Sequence, residues 1–224
     1  MISAFFRAFS QFGDPAFRRP LWLSLGLSVL VFVALWTGIG IVLARTSFFD
    51  MVWLDWAVDA LGGIATLVLT WVLFPAVVTA ILSLFLERIA AAVEARHYPT
   101  LPPPRTQPLG EAVLGALAFL AIAIALNLLV LPLYLVPGVN LVAFVLLNGY
   151  LLGREYYGLV APRRLDPEAA RALWRRIRLS AVLTGAAIAL LATVPLVNLA
   201  VPVIAAAAMT HRFESWRRGP GNNR

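Results

Sequence analysis

Four apolar stretches without a charged residue alternate with charged segments along the chain. The first two cover residues 21–44 and 60–86. A helix needs about 20 residues to cross a hydrocarbon core of about 30 Å, so each of these is predicted to form a full transmembrane helix. The other two cover residues 112–153 and 179–210, and a Pro and an Asn interrupt each of them near its middle. A straight helix through either interruption is disfavoured, because Pro lacks the backbone N–H that a helix interior needs.

Arginine is concentrated in the segments that flank these stretches, and short cytoplasmic loops of membrane proteins carry an excess of basic residues. The loop at residues 45–59 contains three Asp and one Arg, which is typical of the outer side. Seven arginines separate the third stretch from the fourth, namely Arg154, Arg163, Arg164, Arg171, Arg175, Arg176 and Arg178. Both chain termini are therefore predicted to be cytoplasmic. The third and fourth stretches are predicted to be hairpins that enter and leave on the cytoplasmic side.

The length of each hairpin limits how deeply it can penetrate. The fourth stretch, residues 179–210, provides two arms of about 15 residues, and each arm rises about 22 Å at about 1.5 Å per residue. This rise is short of a full crossing, so the hairpin is predicted to enter the membrane partly and to return. The third stretch, residues 112–153, is longer, and its arms are nearly long enough for two crossings.

The interruptions VPGVN and VPLVN are similar and lie 58 positions apart, which suggests a duplicated hairpin; the alternative is chance similarity between Leu- and Val-rich segments. Pro137 and Pro195 are expected to end the first arm of each hairpin. Gly138 can adopt a positive φ in the first turn, so the two turns are expected to differ. Asn140 and Asn198 are expected to accept hydrogen bonds from free N–H groups where the second arms begin. Irregular backbone at membrane depth requires protein or water around it, so these tips are expected to be enclosed in an assembly.

Three flanking segments are predicted to lie at the cytoplasmic surface. Residues 1–20 contain an amphipathic helix whose apolar face is mostly Phe, which suits the lipid headgroup layer. Residues 163–178 predict a basic amphipathic helix with Asp166 as its N-cap and Pro167 in its first turn. Residues 211–224 form a basic tail. These segments are expected to contact anionic lipid.

Composition restricts the class of protein further. Hydrophobic residues make up 61% of the chain and charged residues 13%, and the mean hydropathy is +0.86, which is outside the range of soluble domains. The expected fold class is an all-α integral membrane protein with two full transmembrane helices, two partly penetrating helical hairpins and interfacial amphipathic helices. With no Cys, two His and no common catalytic motif, we expect no metal, no cofactor and no enzymatic activity. The sequence pI is about 11.0, but arginine confined to membrane-flanking loops indicates anionic lipid rather than nucleic acid as a partner.

Three stretches resemble the CysZ sulfate permease family and its etoposide-induced-protein relatives. They read DPAFRRPLWLSLGL, YLVPGVNLVAFVLLNGYLLGREYYGLVAPRRL and RALWRRIRLSAVLTGAAIALLATVPLVNLAVPVIAAAAMTHRFESWRR. The resemblance implies two transmembrane helices with two partly penetrating hairpins, a homo-oligomer in the bacterial inner membrane, and sulfate uptake for cysteine synthesis. It also implies a sulfate-binding arginine pair before the first long helix, a place that Arg18 and Arg19 occupy here. The alternative for this pair is that it only enforces the cytoplasmic location of its segment.

This chain departs from the family pattern at two places. The family has a Pro-Phe-Asn element after the second long helix, where this chain has Leu84, Phe85 and Leu86, and the first helix carries Ser24 and Ser28 without an Asn. No charged residue lies within the four apolar stretches, which favours channel-like passage of sulfate or a related small anion over a proton-coupled carrier. The alternative is a non-transporting membrane scaffold or assembly protein with the same fold.

Overall fold

The computed structural model describes residues 2–10, 15–45, 52–195 and 197–219, and every regular element in these ranges is helical. The α-helices are α1 (Ile2–Ser10), α2 (Pro15–Arg45), α3 (Val52–Ser83), α4 (Leu86–His97), α5 (Leu109–Val130), α6 (Val139–Val160), α7 (Pro167–Ala192) and α8 (Val201–Arg218). Short 3₁₀ turns cover Leu131–Leu135, Ala161–Arg163 and Val197–Leu199. The chain forms two compact units, one of Arg18–Phe85 and one of Met1–Phe17 with Leu86–Arg224.

Three of these helical segments are long and apolar enough to cross a membrane: Arg18–Val42, Ala60–Ser83 and Leu109–Leu135. They confirm the all-α membrane class. The third is the first arm of the first predicted hairpin, so this arm has the length of a full span. The division into two full spans and two partial hairpins stays a prediction.

The unit Arg18–Phe85 is an antiparallel pair formed by α2 and α3. The Trp36 indole N–H donates a hydrogen bond to the Thr70 hydroxyl at 2.8 Å, and the ring centroids of Phe32 and Phe74 are 5.7 Å apart. Most other apolar side chains on both helices are exposed, including Trp71. A helix that is apolar on all sides and uncovered by protein is typical of a membrane span.

The other unit is organised around α8. Every residue of α8 from Val201 to His211 is buried, including the alanines at 205–208. Helix α1 packs against α8 with Ala4 and Ala8 buried, whereas Phe6 is exposed. Two small side chains therefore lie in the contact of α1 with α8, and Phe6 remains available to lipid.

Helices α6 and α7 cross at three glycines. A Cβ added at Gly149 would lie 3.1 Å from the Cβ of Ala186, and one added at Gly185 would overlap the backbone of Gly149 and Gly153. Only residues without a side chain permit this approach. This crossing fixes the second arm of the first hairpin against the first arm of the second hairpin.

Helix α7 is continuous from Pro167 to Ala192, so the basic segment and the apolar arm that follows it form one helix. Asp166 caps its start, as the Asp-Pro pair predicts, because its Oδ1 accepts hydrogen bonds from the N–H groups of Glu168 and Ala169 at 2.9 and 2.8 Å. These bonds hold the pKa of Asp166 below its usual range. Helix α8 likewise continues into the predicted tail, whose last five residues lie outside the described ranges.

Candidate functional site: arginines and hairpin turns

Arg18 and Arg19 lie near the start of α2, and both side chains are exposed. Within the described residues, neither guanidinium has a hydrogen-bond or ion-pair partner. Asp14, the residue before α2, lies outside those residues. The exposed pair can therefore donate to an anion without breaking an existing bond.

The first hairpin turn joins α5 to α6 through a left-handed glycine. Gly138 has a φ of 82°, as its position in VPGVN predicts. Regular α-helix ends at Val130, and a 3₁₀ segment continues the chain before Pro137. The Oδ1 of Asn140 accepts a hydrogen bond from the N–H of Leu141 at 2.8 Å, which satisfies one free donor in the first turn of α6.

The second hairpin turn has a different geometry. Pro195 is exposed, and Asn198 is half-buried in the 3₁₀ turn before α8. The N-cap residue of α8 is Ala200, and the Asn198 side chain makes no hydrogen bond within the part of the chain that is described. Asn198 therefore does not cap α8, contrary to expectation. The two turns differ in geometry, as the glycine at position 138 predicts.

The predicted residues are divided between the two compact units of the chain. Arg18 and Arg19 belong to the unit Arg18–Phe85, whereas both turns belong to the other unit. No hydrogen bond joins the first turn to the second among the described residues. Each group is therefore a separate candidate for contact with an anion.

A buried ion cluster links α4 to the segment after α6, and no sequence pattern predicts it. Glu94 accepts from Arg163 Nη2 at 2.8 Å and from Arg164 Nη2 at 2.6 Å. The Glu94 and Arg164 side chains are less than a tenth exposed. Burial raises the pKa of the Glu94 carboxyl. The hydrogen bonds and charges of both arginines together lower it by more, so the pKa lies below its usual range. Arg163 and Arg164 therefore have a structural partner in addition to the role in topology that is predicted for them.

Other arginines of this unit are also neutralised. Arg105 forms a two-pronged pair with Glu111, with N–O distances of 2.8 and 2.6 Å. Buried Glu214 pairs with Arg217 at 2.8 Å and lies 3.6 Å from Arg218. Such forked pairs use up the donors that an anion would need.

Arg212 has no carboxylate partner among the described residues. Its Nη2 donates to the Ser180 hydroxyl at 2.5 Å, and its guanidinium lies 4.8 Å from the ring centroid of Trp216. Its Nε is buried without a hydrogen-bond partner in the described part of the chain. Because Ser180 and Arg212 lie at similar distances from the turn, this bond also shows that α7 and α8 run antiparallel in register.

The structure brings the two histidines together, the buried His211 on α8 and the exposed His97 at the end of α4. The Tyr98 hydroxyl lies 2.9 Å from Nδ1 of His211, and the His97 and His211 rings meet edge to face with centroids 5.0 Å apart. Burial, together with the charges of His97 and Arg7, lowers the pKa of His211 to about 4. His211 is therefore neutral near pH 7. Among the described residues, no three His, Asp or Glu side chains converge as metal ligands would.

A family model described as sulfate transporter CysZ/etoposide-induced protein 2.4 matches residues 4–202. The match contains Arg18, Arg19 and both hairpin turns, and it ends at the start of α8. No curated protein matches the chain. The all-helical fold, the membrane-capable helices and this match agree, and the chain belongs to the sulfate transporter CysZ/etoposide-induced protein 2.4 family.

Proposed function

We propose that this protein is a channel-like permease for sulfate or a related small anion in the bacterial inner membrane, where it supplies sulfur assimilation. The observation that carries the proposal is the family match over residues 4–202. The exposed, unpartnered guanidiniums of Arg18 and Arg19 support it, since a planar donor fork can hold two oxygens of a tetrahedral anion.

Passage through the membrane would depend on weak dipoles rather than on buried charges. Ala60–Ser83 contains no ionisable residue, and the single carboxylate of Leu109–Leu135 is Glu111, which Arg105 neutralises. A proton-coupled carrier normally uses carboxylates within its spans. The helix N-terminus beyond Gly138, with Asn140, offers partial positive charge to an anion. Asn198 would play a similar role at the second turn.

The proposed orientation places both termini and the linker that contains Arg171 in the cytoplasm. The hairpins α5–α6 and α7–α8 would then both open toward the cytoplasm. Pro137 and Gly138 are exposed in the single chain, and we propose that neighbouring subunits of a homo-oligomer cover this tip. Labelling of a cysteine at position 171 from outside the cell would contradict the orientation.

The test is uptake of radiolabelled sulfate into liposomes that contain the purified protein. Arg18→Gln and Arg19→Gln are each expected to lower the initial uptake rate about tenfold, because each removes charge-assisted hydrogen bonds to the anion. Arg176→Gln is the matched control, since Arg176 is also exposed and unpartnered within the described residues. This variant should transport like the wild type.

Two results would contradict the proposal, one for transport itself and one for the role of the Arg18–Arg19 pair. Wild-type uptake equal to that of empty liposomes would support a non-transporting scaffold. Uptake that falls equally in all three variants would show that total charge, rather than the Arg18–Arg19 pair, controls transport.

A further inference from the structure

A cleft of about 820 Å³ opens between α5, α6 and α7, at the ends of α5 and α6 that are remote from their turn. Its α5 wall consists of Ala112, Gly115, Ala116 and Phe119. No residue of α5 is buried, so in a bilayer this wall continues into a lipid-facing surface. The cleft is therefore open to an acyl chain along one side.

The opposite wall carries three guanidinium groups, those of Arg154 on α6 and of Arg171 and Arg175 on α7. None of the three forms an ion pair within the described residues. Arg154 lies 5.8 Å from the ring centroid of Trp174, and Arg171 Nε donates to the Pro167 carbonyl at 3.0 Å. This arrangement contrasts with the buried Glu94 cluster, where arginines and a carboxylate neutralise one another.

Two carboxylates, those of Glu155 and Glu168, also line the cleft. Glu168 lies in the first turn of α7, where the partial positive charge of the helix start favours a carboxylate. The lining therefore has an excess of positive charge. None of its guanidiniums is held by a carboxylate within the described residues, and Trp174, which also lines the cleft, is a residue type that favours the membrane–water interface.

We propose that this cleft binds one anionic phospholipid, with its phosphate between Arg154, Arg171 and Arg175 and one acyl chain along the small residues of α5. Basic pockets between membrane helices on the cytoplasmic side have the chemistry that recognises such headgroups. Charge complementarity selects the anionic class, and the apolar α5 wall selects a lipid over a free phosphate. This site does not depend on transport of sulfate.

Native mass spectrometry of the full-length protein in detergent micelles tests the proposal. The probes are phosphatidylglycerol, phosphatidylcholine with the same acyl chains, and glycerol phosphate without acyl chains. The wild type is expected to retain one phosphatidylglycerol and to release the other two probes. Arg175→Gln should lower its retention about fivefold, the effect of removing one cation near a phosphate. Arg176→Gln removes the same charge from the next residue of α7, which does not line the cleft, and should retain phosphatidylglycerol like the wild type.

Two further substitutions separate the cleft from general surface charge. Gly115→Leu places a side chain in the cleft where a Cβ would meet no atom within 4 Å, so it should block the acyl chain without disturbing the fold. Gly110→Leu is its control, because Gly110 is equally unobstructed and lies outside the lining. Glu155→Gln removes a carboxylate from the lining and should raise retention.

The proposal is overturned if Arg175→Gln and Arg176→Gln lower retention equally, since binding would then depend on the charge of α7 as a whole. Equal retention of phosphatidylcholine and phosphatidylglycerol would show that the guanidiniums do not select an anionic headgroup. Equal binding of glycerol phosphate would show a headgroup site without an acyl chain.

Discussion

Helices α5 and α8 are both rich in apolar residues, and they have opposite surroundings. No residue of α5 is buried, whereas α8 is buried from Val201 to His211. The apolar side chains of α5 are mostly large, and those in the middle of α8 are the alanines at 205–208. Small residues allow helix backbones to approach closely, whereas large apolar residues are equally satisfied by lipid. Residue size, more than hydropathy, therefore separates the two helices.

The same contrast holds between the contacts of α6 and the surface of α2. A Cβ added at Gly149 or Gly153 on α6 would lie 3.1 or 2.5 Å from the nearest atom of α7. A Cβ added at Gly26 on α2 would have no atom within 4 Å. Stability of the unit around α8 should thus depend on close packing and buried charge. The stability of the exposed helices should depend on the membrane around them.

The largest effect is expected at the glycine crossing. Gly185→Leu would force a side chain into the backbone of Gly149 and Gly153, so α6 and α7 must separate, with a loss of more than about 3 kcal/mol in the free energy of unfolding. The measurement is the yield of monodisperse protein by size-exclusion chromatography after extraction. Gly26→Leu is the control and should give wild-type yield. Equal losses in both variants would refute the contrast between packed and exposed helices.

A similar or slightly smaller effect is expected at the buried ion cluster. Glu94→Gln removes the negative charge and leaves the buried Arg164 side chain and the partly buried Arg163 side chain with no counter-charge in the cluster, which costs about 3–5 kcal/mol. Chemical unfolding in mixed micelles measures this loss. Glu111→Gln breaks a more exposed pair with Arg105, and its effect should be much smaller because water screens that pair.

The loss of stability at acid pH provides an independent test of the Glu94 cluster. The pKa of Glu94 in the fold is below its ordinary value of 4.5, so its stabilising contribution is present above pH 4.5 and is lost as the pH falls toward the lower, folded pKa. The wild type should therefore lose stability more steeply than Glu94→Gln below pH 4.5. Parallel curves for the two proteins would show that Glu94 is not stabilised as a carboxylate.

Local features of the fold could be predicted because they depend on neighbouring residues. The apolar stretches predict helices, Asp166 predicts the start of α7, and Gly138 predicts the left-handed turn. The predicted boundary near Leu179 marks a change from charged to apolar side chains. Helical backbone hydrogen bonds are indifferent to that change, which explains why α7 continues through it.

The remaining features depend on residues that are distant in the chain. Glu94 meets Arg163 and Arg164 across separations of 69 and 70 residues, and no local pattern specifies this contact. The burial of α8 likewise follows from the packing of other helices around it. The role of Arg18 and Arg19 could be predicted only through the family resemblance, since an arginine pair beside a membrane helix also satisfies the positive-inside rule.

The contrast between α5 and α8 is tested most directly by truncating one large side chain in each and measuring the free energy of unfolding in mixed micelles. Ile204 on α8 is 2% exposed and Leu117 on α5 is 57% exposed. Ile204→Ala is expected to cost about 2–5 kcal/mol because it leaves a cavity in packed protein. Leu117→Ala should change the unfolding free energy by less than about 0.5 kcal/mol, because lipid or detergent fills the space. Equal losses in the two variants would contradict the account, since α5 would then be packed against protein as tightly as α8.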